Sequence, residues 1–206
     1  MQEIRHERTL VFLKPDGVQR GLIGEVLGRF ERAGLKVAAM KMVRAGRDLL
    51  EHHYPNDESF LRTLGGKTKE AFAAYGLDVK AQTGTDDPLA IGRQVRGWLI
   101  DYVSSGPVAA FVLEGIHAVS VVRKLVGDTL PYRAAPGSIR GDLSIDSPTV
   151  ANLMNRPVRN LIHASGSVEE AGMEIALWFR PEELHEYRRA DEATMFGQPP
   201  APGTGS

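Results

Sequence analysis

Twice along this chain an apolar run of strand length leads into a stretch of helical periodicity and then into a second apolar run. Residues 8–14, RTLVFLK, are bounded by charge and by Pro15-Asp16-Gly17, and read as a buried strand ending in a turn. Leu22, Ile23, Val26, Leu27 and Phe30 follow at helical spacing, with Gly34 as the stop. Residues 35–43 resume as a strand, and residues 48–53 form a short helix before Pro55. The second unit has a strand over 108–113, VAAFVL, and an amphipathic helix over 116–126 stopped by Gly127. Loops follow at 128–137 and 146–157, around a partly extended piece at 138–145. Residues 168–173 suit a helix and residues 175–179 a last strand. Strand–helix–strand written twice predicts an α/β fold, a ferredoxin-like split βαβ sandwich. Its four-stranded antiparallel sheet is expected to carry helices mainly on one face.

Residues 56–98 read as an excursion from that plan, an inserted helical segment. Phe60, Leu61 and Leu64 begin a helix that Gly65-Gly66 is expected to break; residues 69–75 form another, and QTGTDDP at 82–88 is a polar loop. A chain of 206 residues suits one domain over 1–196, with insertions at about 56–98 and 147–156. The low-complexity end, GQPPAPGTGS from 197 to 206, is expected to be a disordered tail.

The net charge of −1 gives no global attraction to nucleic acid or to an anionic membrane, so neither is an expected partner. Cysteine is absent, which excludes disulfides, a thiol nucleophile and cysteine-ligated metal. The start lacks an apolar run of signal-peptide type and no segment reaches bilayer-spanning length, so a soluble cytoplasmic protein is expected.

Chemistry concentrates in NLIHASGS, residues 160–167, centred on His163. A histidine among small and hydroxyl residues has room beside its ring to act as nucleophile, general base or metal ligand. Taken alone, such a residue is more often a loop histidine that caps or fills. Elsewhere Lys14 stands at a strand end, Arg123 precedes Gly127, Thr129 opens a loop and Arg140 precedes Gly141-Asp142. Each alone reads as an ordinary surface group. Together they hold what a polyphosphate needs: guanidinium forks, a point charge and a neutral donor. The GGKT at 65–68 mimics the end of a phosphate loop, but Leu61 occupies the position of the required glycine, so a turn with a solvated lysine is the better reading. His6, His52, His53, His117 and His185 show no metal-binding spacing and read as structural or solvated; no protein metal site is expected.

The blocks ERTLVFLKPDGVQRGLIGEV, SGPV, EGI with RKLVGDT, PGSIRGD, and RNLIHASGS with EIALWF stand in the order in which a nucleoside diphosphate kinase carries them. The chain resembles that family outside residues 56–98, 147–156 and the tail. The resemblance implies transfer of a γ-phosphate from a nucleoside triphosphate such as ATP or GTP to a nucleoside diphosphate such as ADP, in ping-pong fashion through a phosphohistidine. The alternative is a non-catalytic nucleotide-binding or regulatory module on the same fold. The resemblance implies His163 as the phosphorylated residue, with Lys14, Arg123, Thr129 and Arg140 contacting phosphates. Asn160, with Lys14, would hold the sugar hydroxyls, Tyr54 would pack beside the catalytic ring, and Glu174, next to Ser165, would orient it. Mg²⁺ is implied as cofactor, arriving on the nucleotide phosphates, and a homo-oligomer as the assembly.

Three departures accompany the resemblance. HASGS replaces an HGSDS-like signature, so Ala164 adds a methyl group and Gly166 removes a carboxylate. Residues 56–98 lengthen a segment that is short in the family, and residues 147–156 are inserted before Asn160. Val95 takes the place of the family's base-stacking phenylalanine, with Leu99 as its apolar partner, and either Trp98 or Phe60 is left as a substitute ring.

Overall fold

The computed structural model describes residues 6–197, so of the tail expected from 197 onward only Gly197 falls within it. In chain order the elements are β1 (Glu7–Leu13), α1 (Pro15–Gln19), α2 (Ile23–Arg32), β2 (Lys36–Val43), α3 (Arg47–His53), α4 (Glu58–Ala73), α5 (Val79–Thr83), α6 (Pro88–Ser104), β3 (Val108–Gly115), α7 (Ala118–Val126), α8 (Ile139–Leu143), α9 (Pro148–Leu153), β4 (Ile162–Ala164), α10 (Val168–Trp178) and α11 (Glu192–Phe196). The sheet has the order β2-β3-β1-β4, and all three pairings are antiparallel. This is the expected four-stranded sandwich, with β1 and β3 in the middle. No helix among the described residues is long and apolar enough to cross a membrane.

Helices cover both faces of the sheet rather than mainly one. Leu10 to Leu13 are fully buried, as is the whole of β3. A strand without polar alternation must be covered twice. Successive side chains point to opposite faces. Val11, Leu13, Phe111 and Leu113 pack on Val26 and Phe30 of α2 and on Val122 and Val126 of α7. Leu10, Phe12, Ala110 and Val112 pack on Leu50 of α3, Ile100 of α6 and Trp178 of α10.

The fourth strand is residues 162–164, not 175–179. Residues 168–178 form the single helix α10, because Ser167 caps it by accepting from the Glu170 N–H at 3.1 Å. Ala171, Glu174, Ile175 and Trp178 recur at three- and four-residue steps as its buried stripe. The expected extended piece at 138–145 is likewise helical: Ser138 caps α8 by accepting from Gly141 N–H at 3.1 Å. The loop expected over 146–157 contains α9, with Ser147 as cap and Pro148 in its first turn.

The glycine pair at 65–66 does not break α4, which runs through it. α4 and α6 lie in contact because glycines let their backbones approach. A Cβ on Gly65 would stand 1.9 Å from the Pro88 carbonyl oxygen, and one on Gly92 would stand 2.0 Å from the Leu61 carbonyl oxygen. Close approach explains these glycines; flexibility does not.

Candidate active site

One cavity of about 270 Å³ opens where the end of β1, the start of β4 and the C-terminal end of α7 meet α4 and α6. Lys14, Tyr54, Val95, Leu99, Arg123, Thr129, Arg140, Asn160 and His163 all line it. Glu174, the remaining residue expected at the site, lies directly behind His163. Phe60 and Trp98 do not line it. Phe60 packs into the core under α3 and α6, and Trp98 borders a separate cleft with Tyr102, Arg156 and Arg159.

His163 sits in β4 opposite Phe12 of β1. The two rings stack at 4.7 Å with an interplanar angle of 18°. Nε2 of His163 lies 2.8 Å from Glu174 Oε1, although not in line for a hydrogen bond. That close approach occupies one ring nitrogen and leaves Nδ1 as the other lone-pair site. Glu174 is itself fixed, since its Oε2 accepts from Ser165 Oγ at 2.6 Å. Burial pushes the Glu174 carboxyl up, against the opposing pull of His53 and the Ser165 hydroxyl. Burial, then Lys14, Arg140 and Arg123, hold His163 well below the usual imidazole range. The ring is therefore neutral, as a nucleophile must be.

Lys14 is nearly buried, and its Nζ donates to Asn160 Oδ1 at 2.7 Å. Asn160 in turn donates to the Thr129 carbonyl at 2.9 Å. Burial first, and then Arg140, push the Lys14 ammonium down to about 7, with Asp16 opposing. Arg140 spends three N–H groups on backbone carbonyls: Asn160 at 3.0 Å, Gly127 at 3.0 Å and Ile162 at 2.6 Å. A guanidinium has five N–H donors, so about two remain for a ligand. Burial and the neighbouring Arg123 lower Arg140 to about 10. Arg123, in the last turn of α7, and Thr129 are exposed toward the cavity mouth.

The chain bends sharply to bring these groups together. Leu161 has φ 65, and Ile162 N–H donates to Asn160 C=O at 2.7 Å across it. A non-glycine residue in that region is strained. It is held because Lys14 N–H donates to the Leu161 carbonyl at 2.7 Å and the leucine side chain is fully buried. The HASGS departures leave this loop closed. Ala164 pairs with Val11 in the sheet, and Gly166 N–H donates to Glu170 Oε2 at 2.7 Å, so a carboxylate one helical turn later serves the loop.

His53, read from the sequence as structural or solvated, is buried in contact with the site. Its ring meets His163 edge-on at 4.5 Å, and its Nδ1 lies 3.4 Å from both Glu174 Oε1 and Trp178 Nε1. Burial and His163 hold His53 down to about 3, so it is neutral. Tyr54 lines the cavity with its ring edge-on to His53 at 4.7 Å, so the ring packed edge-on against His163 is that of His53. The adjacency of His52 and His53 hid this: one is exposed and the other buried.

Among the described residues, the three-residue cluster of possible metal ligands is His53, His163 and Glu174, whose ligand atoms lie within 4.8 Å of one another. It supplies two imidazoles and one carboxylate beside Lys14 and Arg140. Mg²⁺ asks for oxygen ligands and gains nothing beside two cations. These residues do not make a Mg²⁺ cage.

A sequence model of the nucleoside diphosphate kinase family matches residues 7–69 and 92–184, passing over the middle of the α4–α6 hairpin. A nucleoside diphosphate kinase of Pyrobaculum aerophilum is 52% identical over 180 residues, which is 87% of this chain and 98% of the relative. One of Archaeoglobus fulgidus is 42% identical over 190 residues, covering 92% of this chain and 97% of the relative. Among solved structures, the Pyrobaculum aerophilum NDP kinase superposes with a TM-score of 0.86 at 50% identity over 88% of this chain and 100% of that one. A nucleoside-diphosphate kinase of Borrelia burgdorferi, a transition-state mimic with vanadate and ADP, superposes with a TM-score of 0.72 at 37% identity over 91% and 95%.

Proposed function

We propose a division of labour in the cavity from one premise: this chain belongs to the nucleoside diphosphate kinase family. It is a phosphotransferase that moves the γ-phosphate of a nucleoside triphosphate to a nucleoside diphosphate. In our reading the polyphosphate lies among Lys14, Arg123, Thr129 and Arg140, and the sugar hydroxyls meet Lys14 and Asn160. With its proton on Nε2 facing Glu174, His163 offers the Nδ1 lone pair to the γ-phosphorus. The N–P bond forms as the bond to the bridging oxygen breaks, and the electron pair leaves on the β-phosphate. The ring gains positive charge as it takes the phosphoryl group, and the Glu174 carboxylate is placed to offset it. The diphosphate departs, another enters, and the same steps run backward. Phosphoryl transfer places its demand on positioning and on cationic stabilisation of the equatorial oxygens. Mg²⁺ enters this scheme with the nucleotide, and no protein residue is assigned to it.

The observation that carries this reading is a neutral histidine with one nitrogen against a buried carboxylate, inside a cavity lined by three cations. Incubation with γ-labelled ATP in the absence of diphosphate should give label on the protein that is acid-labile and alkali-stable, and GDP should discharge it. Nucleotide binding without such label would favour the non-catalytic module instead.

Lys14 gives a pH signature. With its ammonium near 7 in the free protein, raising the pH through that value discharges it and weakens capture of the polyphosphate. Bound phosphate restores the charge. kcat/KM should therefore fall above about pH 7 while kcat holds to higher pH. Lys14→Arg, which does not titrate, should flatten that limb. A kcat/KM that stays level from pH 6.5 to 9, in the parent and in Lys14→Arg alike, would show that no loss of charge at Lys14 limits capture in that range.

We also propose that the outer strand β2 carries the homo-oligomer contact. Met40 and Met42, two residues apart and so on one face, are 61% and 60% exposed. Replacing both by Glu should lower the mass measured by size exclusion with light scattering; an unchanged mass rules out this surface.

A further inference from the structure

The lining of the cavity is of two chemical kinds. Lys14, Arg123, Thr129, Arg140, Asn160 and His163 give it polar and cationic groups, with Lys14 and Arg140 both hydrogen-bonded to Asn160. Leu64 of α4, Val95 and Leu99 of α6, and Val158 before Asn160 give it aliphatic groups from the α4–α6 pair and the chain ahead of Asn160, beside Val126 of α7 and Ile162 and Ala164 of β4. A nucleotide has the matching division, with phosphates at one end and a flat apolar-faced base at the other. Among the described residues, Tyr54 is the one Phe, Tyr or Trp that lines the cavity, and its ring packs edge-on with His53, while Phe60 and Trp98 lie outside.

We propose that Leu64 closes the base-binding slot against Val158, over a floor of Val95 and Leu99, so that this enzyme grips the nucleobase by aliphatic contact and not by ring stacking. The proposal rests on the reading of the cavity as the nucleotide site. Leu64 is half-buried, one residue before the glycine that seats α4 on α6. The helix contact thus sets the distance of the leucine from Val95. Four aliphatic side chains present no donor or acceptor to the base edges. They respond to its area and shape, and they tolerate adenine and guanine alike.

The test compares Leu64→Ala with the unaltered protein on ATP, GTP and ribose 5′-triphosphate, which keeps the sugar and phosphates but has no base. Leu64→Ala should raise KM for ATP and for GTP about tenfold with kcat little changed, and leave KM for ribose 5′-triphosphate as it was. Leu64→Phe should bring KM for ATP back to or below that of the unaltered protein. Equal KM for ATP in the alanine variant and the unaltered protein would overturn the proposal. So would a KM rise of the same size for ribose 5′-triphosphate, which would place the effect on the cleft as a whole. Labelling at saturating ATP keeps the two readings apart. If the alanine variant labels fully while its KM is unchanged, the slot is wrong and the phosphohistidine stands; if the unaltered protein takes no label, the site reading itself fails.

Discussion

Replacing His163 by Gln should lower exchange between nucleoside triphosphates and diphosphates by about 10⁴-fold or more, with nucleotide affinity nearly kept. The amide matches the imidazole in size and still hydrogen-bonds, but it has no nucleophilic lone pair. The cationic groups do not depend on it: Lys14 is held by Asn160, and Arg140 by three carbonyls. The nearest substitute nucleophile is His53, whose ring lies 4.5 Å away and is neutral. It does not take over, because its side chain is 1% exposed and is enclosed by Phe12, Tyr54 and Trp178. Labelling with γ-labelled ATP and a coupled exchange assay should both read near zero. Exchange within tenfold of the original would mean that the phosphoryl group passes directly between nucleotides, and would remove the histidine from the reaction. Glu174→Gln should give a smaller loss, since it keeps the ring in place and removes only the charge that offsets the phosphorylated imidazole.

The polar half of this site was legible in the sequence because its residues sit in short blocks whose order is informative. Lys14, Arg123, Thr129, Arg140, Asn160 and His163 each stand beside a turn or element end that the pattern also marks, and all line the cavity. The errors fall where local pattern and tertiary packing compete. IALWF at 175–179 is a short apolar run that suits a strand or a buried helix equally. What decides it is Ser167 with Glu170 three residues on, a capping signal present in the sequence. Ser138 and Ser147 cap α8 and α9 in the same way, at positions read as extended or loop. His53 was hidden because burial is a property of the fold, and nothing in the pair at 52–53 says which ring turns inward. Leu64 was hidden for another reason. The glycines beside it signal a break unless a second helix with its own glycine lies across them, and that partner is 27 positions from Gly65 at Gly92.

The two adjacent glycines of α4 should therefore answer the same substitution with opposite signs. Gly66→Ala meets nothing within 4 Å and replaces a poor helix former by the best one, so it should stabilise the fold by up to about 1 kcal/mol. Gly65→Ala gains the same propensity, but its methyl group would lie 1.9 Å from the Pro88 carbonyl oxygen. That atom belongs to the backbone at the first turn of α6 and cannot rotate away. The helices must separate, and the reciprocal contact of Gly92 with Leu61 opens with them. A loss of about 3 kcal/mol is expected, at the upper end for overpacking. For a chain of this size that lowers Tm by roughly 6–12 °C. Thermal melts of the two variants beside the parent decide it. A Gly65→Ala melt that matches the parent would mean that the two helices are not held at contact distance, and the aliphatic slot set by Leu64 and Val95 would lose its support.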